Sequence, residues 1–434
     1  MPSCPPLRWA DLAGARVGIW GLGAEGNASR RRLESMGVAP LLVDEAPGQP
    51  SVLDLAAGGL DALHGCEVVI KAPGVSRYRP EVVDLEQDGI AVVGGLGLWL
   101  EGADRERVIG VTGTKGKSTT VSIIGHLLEG LGVRGFVGGN LGTPPFDVDT
   151  PAGVDVWVIE MSSFQVTDLW SGPAVAGITS LHADHLDWHG SFDRYAADKL
   201  SLCTKPGVRA VIANGDDALL RANAAFLGPE PHWLSASVSP WVASLGLRGA
   251  HNHMNALIAR ACLTALGIHE ASDDDLVAAA AGGFRGLPSR LQSLGTVDGV
   301  EFVDDSLSTN VLPTVAAVSV FPDRPVALLV GGFDRQIDYT PLAVHLSSRQ
   351  APLLVLALPD NGDRIREAIE SVAQPPTVTV EPSSDLEQAV RRGFEWSRPG
   401  GVVLLSPAAP SFGRYANYAA RSDAFRLAME ACGS

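Results

Sequence analysis

The chain has 434 residues, of which 46% are hydrophobic, so two or three domains with separate cores are expected. A net charge of −16 argues against a nucleic-acid partner. No apolar run approaches the length of about 18 residues that a membrane span needs, and the first residues lack a basic flank and an apolar core. We therefore expect neither membrane insertion nor a signal peptide, and five scattered cysteines favour reduced thiols in a cytoplasmic protein.

The chain opens with a strand–turn–helix–strand pattern. Strand Val17-Gly-Ile-Trp20 leads into the turn Gly21-Leu-Gly-Ala-Glu-Gly26, and after a helical segment the strand Leu41-Leu-Val43 ends in Asp44. A G-x-G-x-x-G turn followed about twenty positions later by an acidic residue is typical of a βαβ unit that binds a diphosphate at the helix start. The pattern does not name the ligand, and a nicotinamide-dependent oxidoreductase is one alternative.

The most informative segment is a glycine-rich run between an apolar strand and a helical pattern, Gly110-Val-Thr-Gly-Thr-Lys-Gly-Lys-Ser-Thr119. This is the context that a phosphate-binding loop requires, because glycines allow close backbone approach and the helix amides attract the anion. Lys117 can reach the β- and γ-phosphates, and the hydroxyl of Ser118 or Thr119 can hold Mg²⁺. The run predicts a nucleoside triphosphate site, the alternative being a glycine-rich turn before an ordinary helix.

Two acidic features follow this loop. The apolar strand Asp155-Val-Trp-Val-Ile159 ends in Glu160, and a carboxylate at such a strand end beside a phosphate loop is where an Mg²⁺ ligand is expected. A further predicted strand, Ala176-Gly-Ile-Thr-Ser180, precedes the run His182-Ala-Asp-His-Leu-Asp-Trp-His189. We interpret this run as an active-site loop with a metal-binding histidine, and a zinc site and a solvated loop are the alternatives.

Lysine is scarce in this chain. Only five of the 33 basic residues are lysines, at positions 71, 115, 117, 199 and 205. An amine binds phosphate as a point charge and can be modified covalently when neutral, and a guanidinium does neither. Lys199 is therefore a candidate functional residue, with chance composition as the alternative.

The last third of the chain again alternates apolar strands with polar loops, for example Asp304–Asn310, Gly331–Arg335 and Ser406–Ser411. Ligands of open α/β sheets bind beyond the carboxyl ends of the strands. We predict an α/β fold of three doubly wound domains. They are a Rossmann-like domain over 1–104, a central P-loop ATP-binding domain over 105–286 and a C-terminal Rossmann-like domain over 287–434.

These motifs occur in the order that is typical of the Mur ligases: Gly113–Thr119, Gly138–Asn140, Glu160–Gln165, His185, Tyr195–Lys199, His251–Asn255, Arg290, Asp305–Ser306 and Ser406–Pro407. The chain resembles this family over essentially its whole length, and within it the MurD type, the glutamate-adding enzymes of peptidoglycan precursor synthesis. The resemblance implies an ATP-dependent, ADP-forming ligase of the bacterial cytoplasm that acts in cell-wall biogenesis and so in cell shape and division.

The resemblance also implies the substrates UDP-N-acetylmuramoyl-L-alanine, glutamate and ATP, two Mg²⁺ ions, and a monomer. The residues that it assigns to ATP are Gly113, Thr114, Lys115, Gly116, Lys117, Ser118, Thr119, Asn252, Asn255, Arg290 and Asp305. Mg²⁺ would be held by Ser118, Glu160, His185 and a carbamylated Lys199, and the catalytic residues would be Lys117, Lys199 and His185. The UDP substrate would contact Gly21, Leu22, Gly23, Ala24, Glu25, Asp44 and Asn140. Glutamate would contact Ser306, Thr309, Arg335, Ser411 and Tyr418.

Departures from the family pattern concentrate in the third block. Where the D-glutamate-adding type has D-S-K-A-T-N, this chain has Leu307 in place of the lysine, and Arg335 replaces the usual glutamate-binding lysine. Ser289 replaces the usual histidine before Arg290. A guanidinium binds a carboxylate with two parallel bonds, whereas an ammonium is a point charge. The pattern resembles the relatives that add L-glutamate, whose product a separate epimerase inverts, and an ordinary D-glutamate enzyme is the alternative.

Other classes of protein fit the residues less well. An oxidoreductase leaves the ATP loop, Glu160 and Lys199 unexplained. Folate-polyglutamate ligases share the ATP loop but not a first domain with a dinucleotide-type turn. A catalytically dead homologue would be expected to lose Lys117, Glu160, His185 or Lys199, and all four are present.

Overall fold

A computed structural model describes residues 4–140, 142–237 and 239–433. The strands form three sheets, and the backbone divides into two compact units. The first unit comprises the chain up to Gly246 together with Asn252–Phe284, and the second comprises Leu247–His251 and the chain from Arg285 onward. Within the described ranges, no helix combines the length and the apolar character that crossing a membrane demands.

The first sheet is built from strands β1 (Val17–Trp20), β2 (Leu41–Asp44), β3 (Leu53–Asp54), β4 (Val68–Lys71) and β5 (Ala91–Val93). They are parallel, in the order β3-β2-β1-β4-β5. The connections contain helices α1 (Ala24–Ser35), α2 (Leu60–His64), α3 (Pro80–Gln87) and α4 (Gly95–Gly102), and a π-helical turn (Leu55–Gly59). Every residue of β1 and β4 is buried, as expected for central strands of a parallel sheet that is covered on both faces.

The central sheet is built from β6 (Val108–Thr112), β7 (Gly135–Gly139), β8 (Val156–Glu160), β9 (Val175–Ile178), β10 (Ala210–Asn214) and β11 (His232–Leu234). These strands are also parallel, in the order β11-β10-β9-β6-β8-β7. Its helices are α5 (Lys117–Gly130), α6 (Ser163–Val166), α7 (Leu186–His189), α8 (Phe192–Leu200), α9 (Ala218–Ala222), α10 (Pro240–Ala243), α11 (Ala250–Leu266) and α12 (Asp274–Ala281). The carboxyl ends of β6 and β8 are neighbours, so Glu160 lies at the same sheet edge as the glycine-rich loop.

The third sheet, in the second unit, is built from β12 (Gln292–Val297), β13 (Val300–Asp304), β14 (Val326–Val330), β15 (Leu353–Ala357), β16 (Val378–Pro382) and β17 (Val402–Leu405). The order is β12-β13-β17-β14-β15-β16, and β12 pairs antiparallel while the others are parallel. Its helices are α13 (Val311–Ser319), α14 (Thr340–Ser347), α15 (Gly362–Glu370), α16 (Leu386–Ser397) and α17 (Tyr418–Cys432). Short 3-10 turns elsewhere in the chain lie at Trp9–Leu12, Arg105–Arg107, Ser201–Thr204, Ala224–Leu227 and His269–Ser272.

The three sheets confirm the predicted α/β class with three doubly wound domains. The apolar runs named above at 17–20, 41–43, 155–159 and 176–180 form strands β1, β2, β8 and β9. No sequence pattern predicted β3, β7, β10, β11, β12 or β16. All of these except β10 lie at sheet edges and are partly exposed, so they lack the continuous apolar run of a central strand. The domain limits at 104/105 and 286/287 stay a prediction.

A buried charge cluster joins the first domain to the central domain inside the first unit. The Lys71 ammonium lies 2.6 Å from one carboxylate oxygen of Asp168, and Arg77 Nε donates to the other at 2.8 Å. The side chains of Lys71 and Asp168 are 0% and 3% exposed. Burial by itself raises the pKa of Asp168, but the two cations outweigh it and hold this pKa below its usual value. The carboxylate is therefore ionised and compensates both buried cations.

Replacing Asp168 by asparagine should strongly destabilise the first unit. The variant keeps the shape of the side chain but leaves Lys71 and Arg77 buried without their shared counter-ion, which costs about 3–5 kcal/mol. Urea unfolding followed by circular dichroism should show the first transition at a clearly lower midpoint. The control is Asp155→Asn, which removes the partner of Arg134 on the surface and should leave the midpoint unchanged. Equal midpoints for Asp168→Asn and the wild type would show that the cluster does not hold these domains together.

Candidate active site

The glycine-rich loop has the backbone that a phosphate cradle needs. It follows β6, and α5 begins at Lys117 directly after Gly116, which has φ +92°. A Cβ at Gly116 would lie 2.5 Å from the side-chain oxygen of Asn255, and a Cβ at Gly113 would lie 2.1 Å from Thr179 Oγ1. Only glycine fits at these two positions, so the loop can stay close to its support while its amides and the start of α5 face an anion.

Two lysine side chains meet at one carbonyl oxygen of this loop. Lys117 Nζ donates to the Gly113 oxygen at 2.8 Å and to the Thr114 oxygen at 3.2 Å. Lys199 Nζ, carried by α8, donates to the same Gly113 oxygen at 3.1 Å. The structure therefore brings together two of the three predicted catalytic residues, although they are 82 positions apart in the sequence.

The surroundings of Lys199 favour the neutral amine over the charged ammonium. Its residue is only 2% exposed, and its ammonium nitrogen would lie 5.0 Å from the centre of the Tyr195 ring. Burial lowers the pKa of Lys199 well below its usual value, and the charge of Lys117 lowers it further. Asp184 opposes this effect but forms its own ion pair with Lys115 at 3.2 Å. An unprotonated amine is a nucleophile, which a protonated lysine or an arginine is not.

Glu160 has the geometry of a metal ligand. It ends β8 and is 2% exposed. Asn140 donates to its Oε1 at 2.7 Å, whereas the buried Oε2 has no hydrogen-bond partner. A buried carboxylate oxygen without a partner is costly unless a cation binds it, so these residues fit Mg²⁺. Ser118, at the second position of α5 and 7% exposed, is the hydroxyl that the sequence predicts as a second ligand.

The histidine-rich run does not form one metal cluster. His189 is buried between Ser163 Oγ at 2.9 Å and an Asp198 oxygen at 2.7 Å. His182 lies 3.6 Å from a carboxylate oxygen of Asp217. Among the described residues, no group of three or more His, Cys, Asp or Glu side chains converges on a possible metal position. A metal here would accordingly need hydroxyl, amine-derived or phosphate ligands as well.

His185 differs from the other two histidines. It precedes α7 in the left-handed conformation, with φ 52°, and its ring packs edge-on against Phe164. Burial lowers the pKa of His185, and the nearby Asp184 only partly opposes the shift. A neutral imidazole is the form that binds a metal, so this environment suits the predicted role.

Asn252 and Asn255 lie in the first unit, and Arg290 and Asp305 lie in the second. The two asparagines are buried on α11, where Asn255 donates to Asn252 at 3.3 Å and supports the loop at Gly116. Burial raises the pKa of Asp305 to about 7. Its oxygens accept hydrogen bonds from Ser406 Oγ at 2.7 Å, from the Leu291 amide at 3.2 Å and from the Ser308 hydroxyl. Asp305 therefore holds together three loops of its own domain.

The first glycine turn is braced by Asp44. The Asp44 carboxylate accepts the Leu22 amide at 2.7 Å and the Ala46 amide at 3.0 Å, and these bonds lower its pKa. Glu25 instead hydrogen-bonds to Gln165 of the central domain, and burial raises its pKa to about 7. Asn140 lies beside Glu160 in the central domain. Of the predicted UDP contacts, Gly21, Leu22, Gly23 and Ala24 form the turn itself and Asp44 holds it, while Glu25 and Asn140 have partners in the central domain.

The predicted glutamate residues are spread over the second unit. Ser411 lines a small cavity with Gly331 and Gly332, whereas Ser306, Thr309, Arg335 and Tyr418 are not part of its lining. The Ser306 hydroxyl donates to Asp304 at 2.6 Å, and Arg335 is exposed. Asp184, which pairs with Lys115, was not singled out by any sequence pattern, although it lies in the histidine-rich run. The two lysines of the glycine-rich loop could have indicated Asp184, because these cations need an acidic residue nearby.

The chain is similar to known proteins in sequence and in fold. Residues 111–237 match the family model described as the Mur ligase middle domain. The chain is 38% identical over 456 residues to a UDP-N-acetylmuramoyl-L-alanine–L-glutamate ligase from Micromonospora sp., with 98% of each chain covered. It is 38% identical to an enzyme of the same name from Xanthomonas euvesicatoria, with 96% of each covered. The solved UDP-N-acetylmuramate-alanine ligase of Thermotoga maritima is similar in fold, with a TM-score of 0.58 and 18% identity over 96% of this chain and 99% of that one.

The fold and the phosphate loop with its buried acid define an ATP-dependent, ADP-forming ligase. The chain belongs to the Mur ligase family, and within that family to the MurD type. The nicotinamide-dependent oxidoreductase is thereby rejected.

Gly116→Ala should weaken the binding of Mg-ATP about ten- to hundredfold, because the positive φ strains an alanine and the new Cβ collides with Asn255. Isothermal titration calorimetry measures the change. Gly14→Ala is the matched control, since Gly14 has a similar φ of +82° but no atom within 4 Å of the added Cβ, and it should bind Mg-ATP normally. Normal binding by Gly116→Ala would remove the loop from the ATP site.

Proposed function

We propose that this enzyme joins L-glutamate to UDP-N-acetylmuramoyl-L-alanine at the expense of ATP in peptidoglycan precursor synthesis. The observation that carries the proposal is the meeting of Lys117 and Lys199 at the Gly113 oxygen, with a phosphate cradle around it. Two full-length relatives at 38% identity, named for L-glutamate, support the choice of amino acid. We also propose that the enzyme works as a cytoplasmic monomer and that a separate epimerase acts on its product.

The reaction has two steps. An oxygen of the alanine carboxylate attacks the γ-phosphorus of ATP, so that an acyl phosphate forms and ADP leaves. The amine of glutamate then attacks the acyl carbon, and the tetrahedral intermediate expels phosphate as the amine loses a proton. Both steps develop negative charge on oxygen, and Lys117 lies where it can neutralise that charge at the phosphate loop.

Mg²⁺ would be held by Glu160 Oε2 and the Ser118 hydroxyl, with His185 and a modified Lys199 serving a second ion. When bound, the ions would neutralise phosphate charge and act as Lewis acids. Asn140 keeps Glu160 in place through its hydrogen bond to Oε1. The Asn252–Asn255 pair keeps the loop in place beneath the nucleotide.

Lys199 would act as a carbamate. Its neutral amine attacks carbon dioxide, a C–N bond forms and a proton leaves, so that the neutral side chain becomes an anion. This change suits a site that already contains Lys117 and Lys115, because it places a negative charge beside these cations and supplies an oxygen ligand. His185 is close enough in electrostatic terms for Lys199 to affect its pKa.

The UDP end of the substrate would bind at the Gly21–Ala24 turn. Gly26 lets α1 start close to this turn, since a Cβ at Gly26 would lie 1.9 Å from the Gly21 oxygen. Asp44 would act mainly by holding the turn in shape, because its oxygens already accept the Leu22 and Ala46 amides. The diphosphate would then be bound by the amides of the turn and the start of α1.

The preference for L-glutamate would come from the second unit. Leu307 supplies an apolar side chain where the D-glutamate pattern has a lysine, and Arg335 would bind a glutamate carboxylate with a planar guanidinium. Inverting the stereocentre inside fixed contacts would misplace a carboxylate and leave polar groups unpaired, so the discrimination can be large.

Lys199→Ala should lower the ligation rate by at least about a hundredfold, because a metal ligand and its charge are lost. Acetate or formate should partly restore the rate by supplying the missing carboxylate. Lys199→Arg should remain inactive with or without acetate, since a guanidinium cannot carry a carbamate and keeps its charge. Phosphate release measured with and without acetate distinguishes these variants. Normal activity of the arginine variant would return Lys199 to a structural role.

Incubation with UDP-N-acetylmuramoyl-L-alanine, Mg-ATP and one glutamate enantiomer at a time tests the function itself. Product formation should be at least about tenfold faster with L-glutamate than with D-glutamate at equal concentration. Mass spectrometry of the product and ADP release are the measurements. Faster reaction with D-glutamate would reverse the enantiomer and leave the ligase standing, whereas no product with either would contradict the proposed substrates.

A further inference from the structure

One buried cation in the second unit, Arg421, makes no ion pair within the described residues, and the charge of Asp304 only partly offsets the effect of burial on its pKa. Arg421 lies on α17 and is 1% exposed. Its Nη2 donates to the carbonyl oxygens of Ser306 at 2.8 Å and Ala409 at 3.1 Å, whereas the buried Nε and Nη1 make no hydrogen bond. Burial lowers the pKa of Arg421 to about 10, so the group is still charged at neutral pH. A buried charge with unsatisfied donors is costly unless an anion pairs with it.

Arg421 contributes to the wall of the small cavity beyond the carboxyl ends of β14, β15 and β17. Its neighbours in that wall include Gly331, Gly332, Ser411, Arg414 and Tyr415. A Cβ at Gly332 would lie 3.1 Å from Arg421 Nη1 and 2.3 Å from the Pro410 oxygen, so the glycine turn lies directly on the guanidinium. This edge of an open α/β sheet is where such folds bind their ligands.

The other charged groups of the cavity are already compensated. Arg414 Nε donates to Asp360 at 3.0 Å. Asp385 accepts the Gln388 amide and the Ser384 hydroxyl, each at 2.8 Å, and so caps α16. Among the described residues of this wall, Arg421 is the cation that forms no ion pair. The cavity therefore suits a group with a single negative charge and oxygen acceptors.

We propose that Arg421 binds the side-chain carboxylate of the glutamate substrate and determines specificity for it, an inference that rests on the proposed function. The α-carboxylate shares a carbon with the reacting amine and has to stay near the acyl phosphate. The side-chain carboxylate lies at the far end of the molecule and is the group that can enter a small cavity away from the acyl phosphate. An amino acid without that carboxylate would leave Arg421 buried and unpaired, which disfavours it.

Steady-state kinetics of full-length Arg421→Met tests the proposal. At saturating Mg-ATP and UDP-N-acetylmuramoyl-L-alanine, the KM for L-glutamate should rise at least about tenfold, because the variant keeps the length of the side chain but loses its charge. The KM for ATP should not change. Arg426→Met, on an exposed face of the same helix, is the matched control and should keep the wild-type KM for L-glutamate. A folded Arg421→Met with the wild-type KM for L-glutamate overturns the proposal.

Binding to the wild type provides a test that does not depend on the variant folding. In the presence of UDP-N-acetylmuramoyl-L-alanine and a non-hydrolysable ATP analogue, L-glutamate should raise the Tm and L-glutamine should not. Glutamine has the same length but an amide in place of the carboxylate. Equal shifts for the two, including no shift for either, contradict the role of Arg421. Failure of the wild type to make product with either glutamate enantiomer is a separate result and contradicts the proposed function instead.

Discussion

The catalytic arrangement of the first unit depends on the Gly113 carbonyl oxygen, which accepts hydrogen bonds from both Lys117 and Lys199. Bringing two amines to one oxygen is electrostatically unfavourable when both are protonated. Burial and the charge of Lys117 lower the pKa of Lys199, which favours its neutral form and relieves this repulsion. The glycine backbone makes this possible, since a side chain at Gly113 or Gly116 would collide with the residues beneath the loop.

Helix α8 connects Lys199 to the first domain. It carries Lys199 and, one residue earlier, Asp198, whose carboxylate accepts the Tyr78 hydroxyl of the first domain at 2.6 Å and also contacts His189. The Trp188 ring nitrogen donates to the Pro73 oxygen at 3.2 Å beside these contacts. With the buried Lys71–Asp168–Arg77 cluster, these bonds fix the first domain to the helix that carries Lys199. A shift of one domain in the first unit would disturb the position of Lys199.

Local patterns in the sequence predicted most of the central strands and the position of Glu160 beside the glycine-rich loop, because glycine spacing and apolar runs reflect contacts between near neighbours. Asp44 shows the limit of such patterns. Its position fits the nucleotide fingerprint, but its oxygens accept backbone amides of the turn. Asp168 and Arg421 could not be found at all, since their partners lie far away in the sequence and no local motif marks them. The edge strand β7 (Gly135–Gly139) was missed because three of its five residues are glycine, which leaves no apolar run.

Lysine is scarce in this chain, and only the contacts that each lysine makes in the structure show which role it has. Lys71, Lys199 and Lys205 are all buried, so this chain retains lysine where a compact amine fits an interior site, and burial alone does not indicate catalysis. Lys71 remains an ion-pair partner of Asp168, and Lys205, whose pKa burial lowers to about 8, donates to the Leu169 carbonyl oxygen. Lys199 differs from both because its acceptor is a carbonyl oxygen of the glycine-rich loop. Burial lowers the pKa of Lys199 as it lowers that of Lys205, so the contact at the end of the side chain, and not burial, separates the lysine with the proposed chemical role from the structural one.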